Sequence, residues 1–219
     1  MKEIYYSAED IQRTAEGLLQ KVGELRARHL PLNLPDRSAL LVLDMQQYFL
    51  DPDSHAFVPS APAIIPGIKK LIAAYEMYNR LVVFTRHVND ISNAGKMATW
   101  WRDTIVGTNP LSQISPHFMS EDWHVLTKSQ YDAFLDSGLE ELLKNKSIEH
   151  VVVCGVMTHL CCETTARSAF MRGYDVWFAV DGSATYNRDY HQASLLNLSH
   201  GFAVPVLVNE VLALLKDEE

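Results

Sequence analysis

An unbroken apolar run, Ser38-Ala-Leu-Leu-Val-Leu-Asp44, ends on a carboxylate. Its short length and its lack of polar alternation predict a strand that is buried on both faces. Similar apolar runs follow at residues 80–87, 123–127, 148–156, 175–181 and 203–208. Helical patterns lie between them, at 62–79, 132–145, 158–172 and 189–201, and again at the end of the chain. This alternation predicts an α/β fold, a three-layer doubly wound sandwich around a mostly parallel six-stranded sheet.

The beginning of the chain does not follow this alternation. Apolar residues recur at helical spacing between residues 11 and 25, and Ser7 with Asp10 resembles a capping box in front of them. We therefore expect an N-terminal helical extension over residues 1–36 and one α/β domain over residues 37–219. The amphipathic helix is expected to pack on the outside of the domain or on a partner subunit.

Composition and charge exclude several classes of protein. The 219 residues are 47% hydrophobic and 21% charged, which is typical of one globular chain with a sizeable core. The net charge of -8 argues against a nucleic-acid partner, and the apolar runs are too short to cross a membrane. No secretory signal pattern begins the chain, and the cysteines are three, Cys154, Cys161 and Cys162. Free thiols in a reducing compartment fit this number best, so we expect a cytoplasmic protein.

Polar residues follow the predicted strands where each strand ends. Asp44 ends the first strand, His87 ends the second and Lys128 follows the third. Ligands of open α/β sheets bind at the carboxyl ends of the strands, so these side chains are expected to meet at one edge. Taken singly, Asp44 also fits a helix cap and Lys128 an exposed loop lysine.

The most informative segment follows the fourth strand and reads Gly155-Val-Met-Thr-His-Leu-Cys-Cys-Glu-Thr-Thr-Ala166. Thr158 as an N-cap would put Cys161 in the first helical turn, where the helix dipole favours a thiolate. Helical spacing puts Cys162 on a different face, which is lined by small residues and is suited to packing on the sheet. Cys161 is therefore the candidate nucleophile, and Cys154 and Cys162 are interpreted as small buried hydrophobes.

A catalytic thiol needs a neighbouring base or cation, because few thiols are ionised near neutral pH. Asp44 fits the base and Lys128 fits the cation. The same carboxylate, once protonated, can return its proton to a leaving amine. Backbone N–H groups between residues 156 and 161 are candidates to bind an oxyanion. These residue types therefore indicate acyl transfer on Cys161.

Three motifs in this order resemble the isochorismatase-like cysteine hydrolases: Leu-Val-Leu-Asp44-Met-Gln46, Leu-Thr-Lys128-Ser-Gln-Tyr131-Asp-Ala-Phe134, and Gly155-Val-Met-Thr158-His-Leu-Cys161-Cys-Glu-Thr-Thr165-Ala166. The similarity extends from about residue 37 to residue 208. It implies a Rossmann-like, isochorismatase-like hydrolase fold, with Asp44, Lys128 and Cys161 as the catalytic residues. It also implies oxyanion donors at the backbone N–H groups of Met157 and Cys161, and a cis peptide bond before Met157.

The resemblance also bears on metal binding and on chemistry. Nicotinamidase-like members of the family bind a metal through an Asp-x-His pattern and a further His beyond the second strand, and residues 85–90, Thr-Arg-His-Val-Asn-Asp, lack that spacing. We therefore expect no catalytic metal and no other cofactor. The retained Cys161 favours hydrolysis of a small amide, ureido or carbamoyl C–N bond through a thioester. Isochorismatase-type cleavage of a vinyl ether, with Asp44 as proton donor, is the first alternative. A non-catalytic or redox-responsive binding protein with an oxidisable Cys161-Cys162 pair is the second.

The predicted substrate contacts come from several segments. The long irregular stretch 89–117 is expected to be a lid or a binding wall, although its tryptophans also fit a satellite core. Arg86 is expected to pair with a substrate carboxylate, whereas His87 fits a substrate contact or a structural histidine equally well. The full predicted set is Gln46, Phe49, Arg86, His87, Trp100, Trp101, Tyr131, Val156, Thr158 and His159. By the resemblance we expect a homo-oligomer, either a dimer or a tetramer, and it is open whether the tryptophan loop closes its own pocket or a neighbour's.

Overall fold

A computed structural model describes residues 1–90, 92–118 and 123–216. Its centre is one six-stranded sheet of β1 (Ser38–Leu43), β2 (Leu81–His87), β3 (His124–Lys128), β4 (His150–Val156), β5 (Asp175–Ala184) and β6 (Val204–Val206). The strands lie in the order β3-β2-β1-β4-β5-β6, and every neighbouring pair is parallel. The chain thus winds outward in both directions from β1 and β4. The predicted doubly wound α/β fold is confirmed.

Helices cover both faces of this sheet. They are α1 (Ile11–Gln20), α2 (Gly23–Arg26), α3 (Gln47–Leu50), α4 (Ala61–Met77), α5 (Met97–Trp100), α6 (Leu139–Asn145), α7 (Glu163–Met171), α8 (Arg188–Gly201) and α9 (Val208–Lys216). The β1-to-β2 and β4-to-β5 connections step in opposite directions, so right-handed crossovers put α4 and α7 on opposite faces. α9 packs beside α4 and α8 beside α7, which completes the three layers. Over the described residues, none of the helices has the length and apolar character that a membrane span requires.

The predicted helix 132–145 is wrong in its first half, because α6 begins only at Leu139. Gly138 adopts a left-handed backbone conformation with φ of 81°, which a continuous helix does not allow. The Ser137 hydroxyl bonds the carbonyl of Ala133 and accepts a bond from the backbone N–H of Leu139. Local hydrogen bonding of this serine thus replaces a helical turn.

The predicted strand 175–181 is too short, because β5 continues to Ala184. A register shift in β4 between Val153 and Gly155 brings Gly155 opposite Ser183. Gly155 has φ of 113°, and a Cβ atom there would lie 2.1 Å from the carbonyl oxygen of Leu43. Only glycine allows β4 to approach β1 this closely. The irregularity sits at the end of β4, where the chain turns towards Cys161, and the Val156-Met157 peptide bond that follows is cis.

The N-terminal extension packs directly on the domain. α1 contacts β5 and α8, and it buries Ala15 and Leu18 completely. Before it, Tyr6 is 1% exposed and donates a hydrogen bond to the carbonyl of Val180 in β5. Only half of the predicted capping box is present, since the backbone N–H of Ser7 donates to the Asp10 carboxylate while no side chain caps α1. The extension and the domain therefore share one hydrophobic core.

His150 begins β4 with its ring edge-on to Trp177, and neither ring nitrogen has a hydrogen-bond partner among the described residues. Burial, helped by the charge of Arg80, lowers the pKa of His150 to about 4. Because the unfolded chain binds the proton more readily, the free energy of unfolding should fall by about 3 kcal/mol as the pH drops from 6.5 to 4. Denaturant titrations across this range measure the fall.

The matched control for this prediction is His150→Phe, which keeps a ring against Trp177 and removes the titrating group. The other histidines are the same in both proteins, so the difference between the two pH profiles isolates His150. A profile as steep in His150→Phe as in the native chain would contradict the prediction.

Candidate active site

Four side chains converge at the carboxyl edge of the sheet. Asp44 directly follows β1, while His87 and Lys128 end the adjacent strands β2 and β3 in register with each other. Cys161 lies in a π-helical turn, Thr158–Cys162, that follows β4. The predicted single helix 158–172 is therefore two segments, this turn and α7, and Thr158 is the first residue of the turn and not its cap. The parallel topology nevertheless brings the acid, the ammonium and the thiol together, as predicted.

The Lys128 ammonium is the centre of the cluster, and its side chain is fully buried. Its Nζ lies 2.8 Å from Asp44 Oδ2 and 3.3 Å from Cys161 Sγ. It also donates to the Gln130 carbonyl at 2.9 Å and lies 3.3 Å from Nδ1 of His87. Burial alone would lower the pKa of Lys128, but the neighbouring Asp44 charge raises it above its usual range. The lysine therefore remains charged.

The Asp44 carboxylate is held by one firm hydrogen bond, since Oδ1 accepts from the Thr85 hydroxyl at 2.7 Å. Burial would raise the pKa of Asp44, but the positive charge of Lys128 outweighs it and holds the pKa below its usual range. Oδ2 faces Lys128 and has no hydrogen bond of full geometry from the described residues. A carboxylate oxygen of Asp44 and the Cys161 sulfur lie within 4.8 Å of each other. Asp44 is thus an ionised base with one oxygen available to take a proton.

Cys161 is 5% exposed and lines a cavity at this edge. Burial first, and then the Asp44 charge, raise the pKa of the Cys161 thiol to about 12, although Lys128 acts in the opposite direction. The resting group is therefore a neutral thiol beside a carboxylate, not the thiolate that the helix-dipole argument predicts. Proton transfer to Asp44 has to accompany any attack by sulfur.

The other two cysteines are fully buried and do not line the cavity, which agrees with their interpretation as small hydrophobes. Cys154 and Cys162 are both free thiols, and burial raises the pKa of each. Cys162 is thus chemically identical to its neighbour Cys161 but has no access to a ligand.

The cavity over Cys161 has a volume of about 120 Å³ and largely apolar walls. Aromatic and aliphatic side chains form most of its lining: Tyr48, Phe49, Ala56, Met97, Trp101, Ile105, Tyr131, Met157, Leu160 and Tyr186. Arg102 and Asp103 supply charged groups to the same lining, and the Asp103 carboxylate accepts a hydrogen bond from the Tyr48 hydroxyl. A cavity of this kind accommodates a small, mostly apolar molecule with a few polar groups.

Four of the predicted substrate contacts line this cavity, namely Phe49, His87, Trp101 and Tyr131. Met157, a predicted oxyanion donor, lines it too. The Trp101 indole N–H donates to the Tyr131 hydroxyl at 2.7 Å, which links the 89–117 loop to the segment after β3. The predicted role of the loop as a wall is therefore consistent with the geometry for Trp101.

The other six predicted contacts lie outside the cavity lining: Gln46, Arg86, Trp100, Val156, Thr158 and His159. Gln46 instead bonds the backbone of His87 through both ends of its amide. Arg86 donates to the Gln113 side chain at 3.0 Å, and Trp100 is 79% exposed. His159 bonds the Thr185 hydroxyl. Gln46 thus positions the end of β2, and it does not meet a ligand in this cavity.

The position of His87 fits both interpretations that the sequence leaves open, a substrate contact and a structural histidine. Its ring lines the cavity, Nε2 lies 2.9 Å from Asn89 Oδ1, and Nδ1 faces the Lys128 ammonium. Burial, followed by the Lys128 charge, lowers the pKa of His87 to about 4. The ring is therefore neutral near pH 7, with its proton on Nε2 and Nδ1 as an acceptor for lysine.

Several lining residues carry no sequence signal. Tyr48 lies two residues beyond the motif that ends at Gln46, Tyr186 follows β5 outside any motif, and Met97 comes from the short helix α5. Leu160 could be inferred from the sequence, because it directly precedes the candidate nucleophile. Thr85, which bonds Asp44, could be inferred from its position two residues before the end of β2 on the same face.

Asp44, His87 and Cys161 each offer one atom that could ligate a metal, and these atoms lie within 4.8 Å of one another. The Lys128 ammonium, however, already lies 2.8 Å from the carboxylate and 3.3 Å from both the sulfur and the imidazole nitrogen. A divalent cation bound to the three atoms would be adjacent to a buried positive charge. The residues present therefore do not fit a metal while Lys128 is charged.

The geometry agrees with the sequence comparison. Residues 38–210 match the Isochorismatase domain. The chain belongs to the isochorismatase family. Like its relatives in the isochorismatase family, it is a hydrolase.

Individual proteins show the extent of this similarity. The chain is 35% identical to Nicotinamidase 3 of Arabidopsis thaliana over 172 residues, which are 76% of this chain and 82% of that protein. It is 29% identical to Enterobactin synthase component B of Escherichia coli (strain K12), covering 81% of this chain and 63% of that protein. The crystal structure of a cysteine hydrolase from Pseudomonas syringae pv. phaseolicola superposes with a TM-score of 0.82 at 26% identity, over 86% of this chain and 96% of the other.

Proposed function

We propose that this protein is a metal-independent cysteine amidohydrolase that cleaves a small amide, ureido or carbamoyl C–N bond through a thioester on Cys161. One observation carries the proposal. The Cys161 sulfur lines the cavity 3.3 Å from Lys128 Nζ, and that ammonium is paired at 2.8 Å with the Asp44 carboxylate. A nucleophile, a base and a fixed cation therefore share one buried site.

The reaction begins with a neutral thiol and an ionised Asp44. As the Cys161 sulfur attacks the carbonyl carbon, Oδ2 of Asp44 takes the thiol proton. The oxyanion that forms is bound by the backbone N–H groups of Met157 and Cys161. Asp44 then gives its proton to the leaving nitrogen, the C–N bond breaks, and a thioester remains. Lys128 stays charged throughout and stabilises the negative charge wherever it lies.

The second half of the reaction uses the same groups. Water enters the cavity, Asp44 removes its proton, and the resulting hydroxide attacks the thioester carbon. The C–S bond breaks, the sulfur recovers the proton from Asp44, and a carboxylic acid leaves. Each proton that Asp44 accepts is therefore returned within the same half-reaction, and the enzyme ends in its starting state.

The lining of the cavity indicates the kind of acyl group. Aromatic walls from Tyr48, Phe49 and Trp101 favour a small planar or apolar body, and the name of the relative Nicotinamidase 3 agrees with an amide substrate. Arg86 does not line the cavity and bonds Gln113, so its predicted pairing with a substrate carboxylate is not part of this proposal. Arg102 is the lining residue that offers a guanidinium in its place.

The test is ammonia release from a panel of small amides, ureas and carbamoylated amino acids, run beside isochorismate. We expect ammonia from at least one C–N substrate, together with an acyl adduct on the peptide containing Cys161 in rapidly quenched samples. Turnover of isochorismate without ammonia or adduct would overturn the proposal.

The family match itself favours a second candidate, isochorismate-type vinyl-ether cleavage. In that reaction Asp44 would donate a proton and Cys161 would form no bond. Lys128 disfavours it, because it holds the pKa of Asp44 low and keeps the carboxyl group ionised. A redox-responsive binding protein is the weakest candidate, since Cys162 is fully buried and oxidants reach it poorly.

We also propose a homo-oligomer, a dimer or tetramer, in a reducing compartment such as the cytoplasm. The exposed Trp100, a large apolar side chain in the 89–117 loop, supports the oligomer. The three free cysteines support the reducing compartment. Light scattering of the purified protein measures the oligomeric state, and a monomeric mass would contradict it.

Metal removal provides a further expected result. Because the Lys128 ammonium already lies beside the atoms of Asp44, His87 and Cys161, the cluster among the described residues that could ligate a metal, dialysis against EDTA should leave the rate of ammonia release unchanged within about twofold. Rates are measured before dialysis, after it, and after addition of zinc. A loss of activity that zinc restores would contradict the absence of a metal from the mechanism.

A further inference from the structure

Residues 1–6 form an N-terminal arm that lies outside the matched domain, which begins at residue 38. The arm crosses the outside of the cavity and is bonded to two of its walls. One wall is the segment 55–57, which contributes His55 and Ala56 to the lining, and the other is Tyr186, which follows β5. The Tyr186 hydroxyl donates to the Ala56 carbonyl at 3.4 Å, so the walls themselves meet through one long hydrogen bond.

Lys2 joins these two walls directly. Its ammonium donates to the carbonyls of His55 and Phe57 at 2.5 Å and 2.8 Å. The same nitrogen lies 4.4 Å from the centre of the Tyr186 ring, within the range of a cation–π interaction. One side chain thus holds a loop backbone and an aromatic ring of the opposite wall.

The remainder of the arm fixes the position of Lys2. The Glu3 backbone N–H donates to the carbonyl of Tyr186 at 2.8 Å, and the Glu3 carboxylate accepts from the backbone N–H of Arg188 at 2.7 Å. Further along, the Tyr5 hydroxyl accepts from the backbone N–H of Thr185 and bonds Nδ1 of the buried His191. The arm is therefore bonded along the whole segment from Thr185 to Arg188.

We infer that this arm is a positioning element of the substrate cavity, in which Lys2 sets the spacing between segment 55–57 and Tyr186. The inference rests on the proposed function for its kinetic consequence. Lys2 itself does not line the cavity, so it acts on the substrate only through the two walls. Loss of the contact widens the mouth and weakens substrate binding, while the reacting groups at Cys161 keep their geometry.

The kinetic test compares Lys2→Gln with Lys2→Arg and with the matched control Lys21→Gln, which alters an exposed lysine at the C-terminal end of α1. On an amide that the native protein hydrolyses, we expect Lys2→Gln to raise KM about tenfold with kcat within about twofold. Lys2→Arg, which keeps the charge and the donors, should restore KM, and Lys21→Gln should match the native protein. An unchanged KM in Lys2→Gln, or an equal loss in kcat, overturns the inference.

A second measurement needs no substrate. Amide hydrogen exchange should become faster in Lys2→Gln within segments 54–58 and 185–188, with the peptides that carry Asp44 and Cys161 unchanged. Unchanged exchange in both segments overturns the role of Lys2, whatever the protein hydrolyses. Absence of ammonia and of a Cys161 adduct in the native protein instead counts against the proposed function alone.

Discussion

Cys161→Ala is expected to lower the rate of ammonia release by about 10⁴-fold or more. The variant removes the sulfur atom that forms the thioester in the proposed mechanism, and no other described cysteine lines the cavity to replace it. Water would then have to attack the amide directly, with only the oxyanion donors and Lys128 to assist. Initial rates on the best substrate of the amide panel measure the effect.

The neighbouring residue provides a matched control for this prediction. Cys162→Ala removes the same sulfur atom one residue later, from a side chain that is fully buried and outside the cavity. We expect its rate to remain within a few-fold of the native protein and its stability to fall by about 1–2 kcal/mol from the lost packing. A Cys161→Ala variant that keeps most of its activity would favour vinyl-ether cleavage over the thioester route.

Lys128→Met is expected to cost about 3–5 kcal/mol of stability as well as most of the activity. The methionine fills a similar volume, but it leaves the fully buried Asp44 carboxylate without its cation. Lys128 is the largest influence holding the pKa of Asp44 low against burial, so in the variant that pKa rises above its usual range. The carboxyl group then becomes a protonated acid inside the folded protein.

The sign of the pH dependence follows from that rise. In the native protein Asp44 adds stability above its unfolded pKa, and this stability is lost as the pH falls through the lower folded value. In Lys128→Met the direction reverses, because stability is lost as the pH rises through the raised pKa. Urea unfolding at pH 5 and pH 8 measures the difference.

The double variant Lys128→Met with Asp44→Asn is the control. It contains neither buried charge, so it should be more stable than Lys128→Met alone at pH 8. Its stability should show no pH dependence from this pair. If the stability difference between Lys128→Met and the double variant were the same at both pH values, the pairing of Asp44 with Lys128 would not carry the energy assigned to it.

The sequence predicts the centre of the site better than its walls. Asp44, Lys128 and Cys161 meet because parallel strands bring their carboxyl ends to one edge, whatever the loops do. The sheet follows for the same reason, because continuous apolar strands allow few arrangements. What identifies these residues is therefore their position at strand ends, and loop conformation has little influence on it.

The walls of the cavity depend on the directions in which side chains point, and the order of residues does not give these directions. Arg86 and His87 are neighbours in β2, so their side chains point to opposite faces and both cannot meet one ligand. Trp100 and Trp101 differ in the same way, since the first ends α5 in solvent and the second turns into the cavity. Tyr186 lines the cavity two residues after β5, and β5 extends beyond its predicted end.

In the proposed reaction, the central ammonium keeps the total formal charge of the reacting cluster at zero. At rest, the ionised Asp44 and the charged Lys128 sum to zero beside a neutral thiol. After the attack of Cys161, the protonated acid, the ammonium and the oxyanion again sum to zero. The apolar surroundings thus never receive an uncompensated ion, and the solvation energy of the cluster varies little along the reaction coordinate.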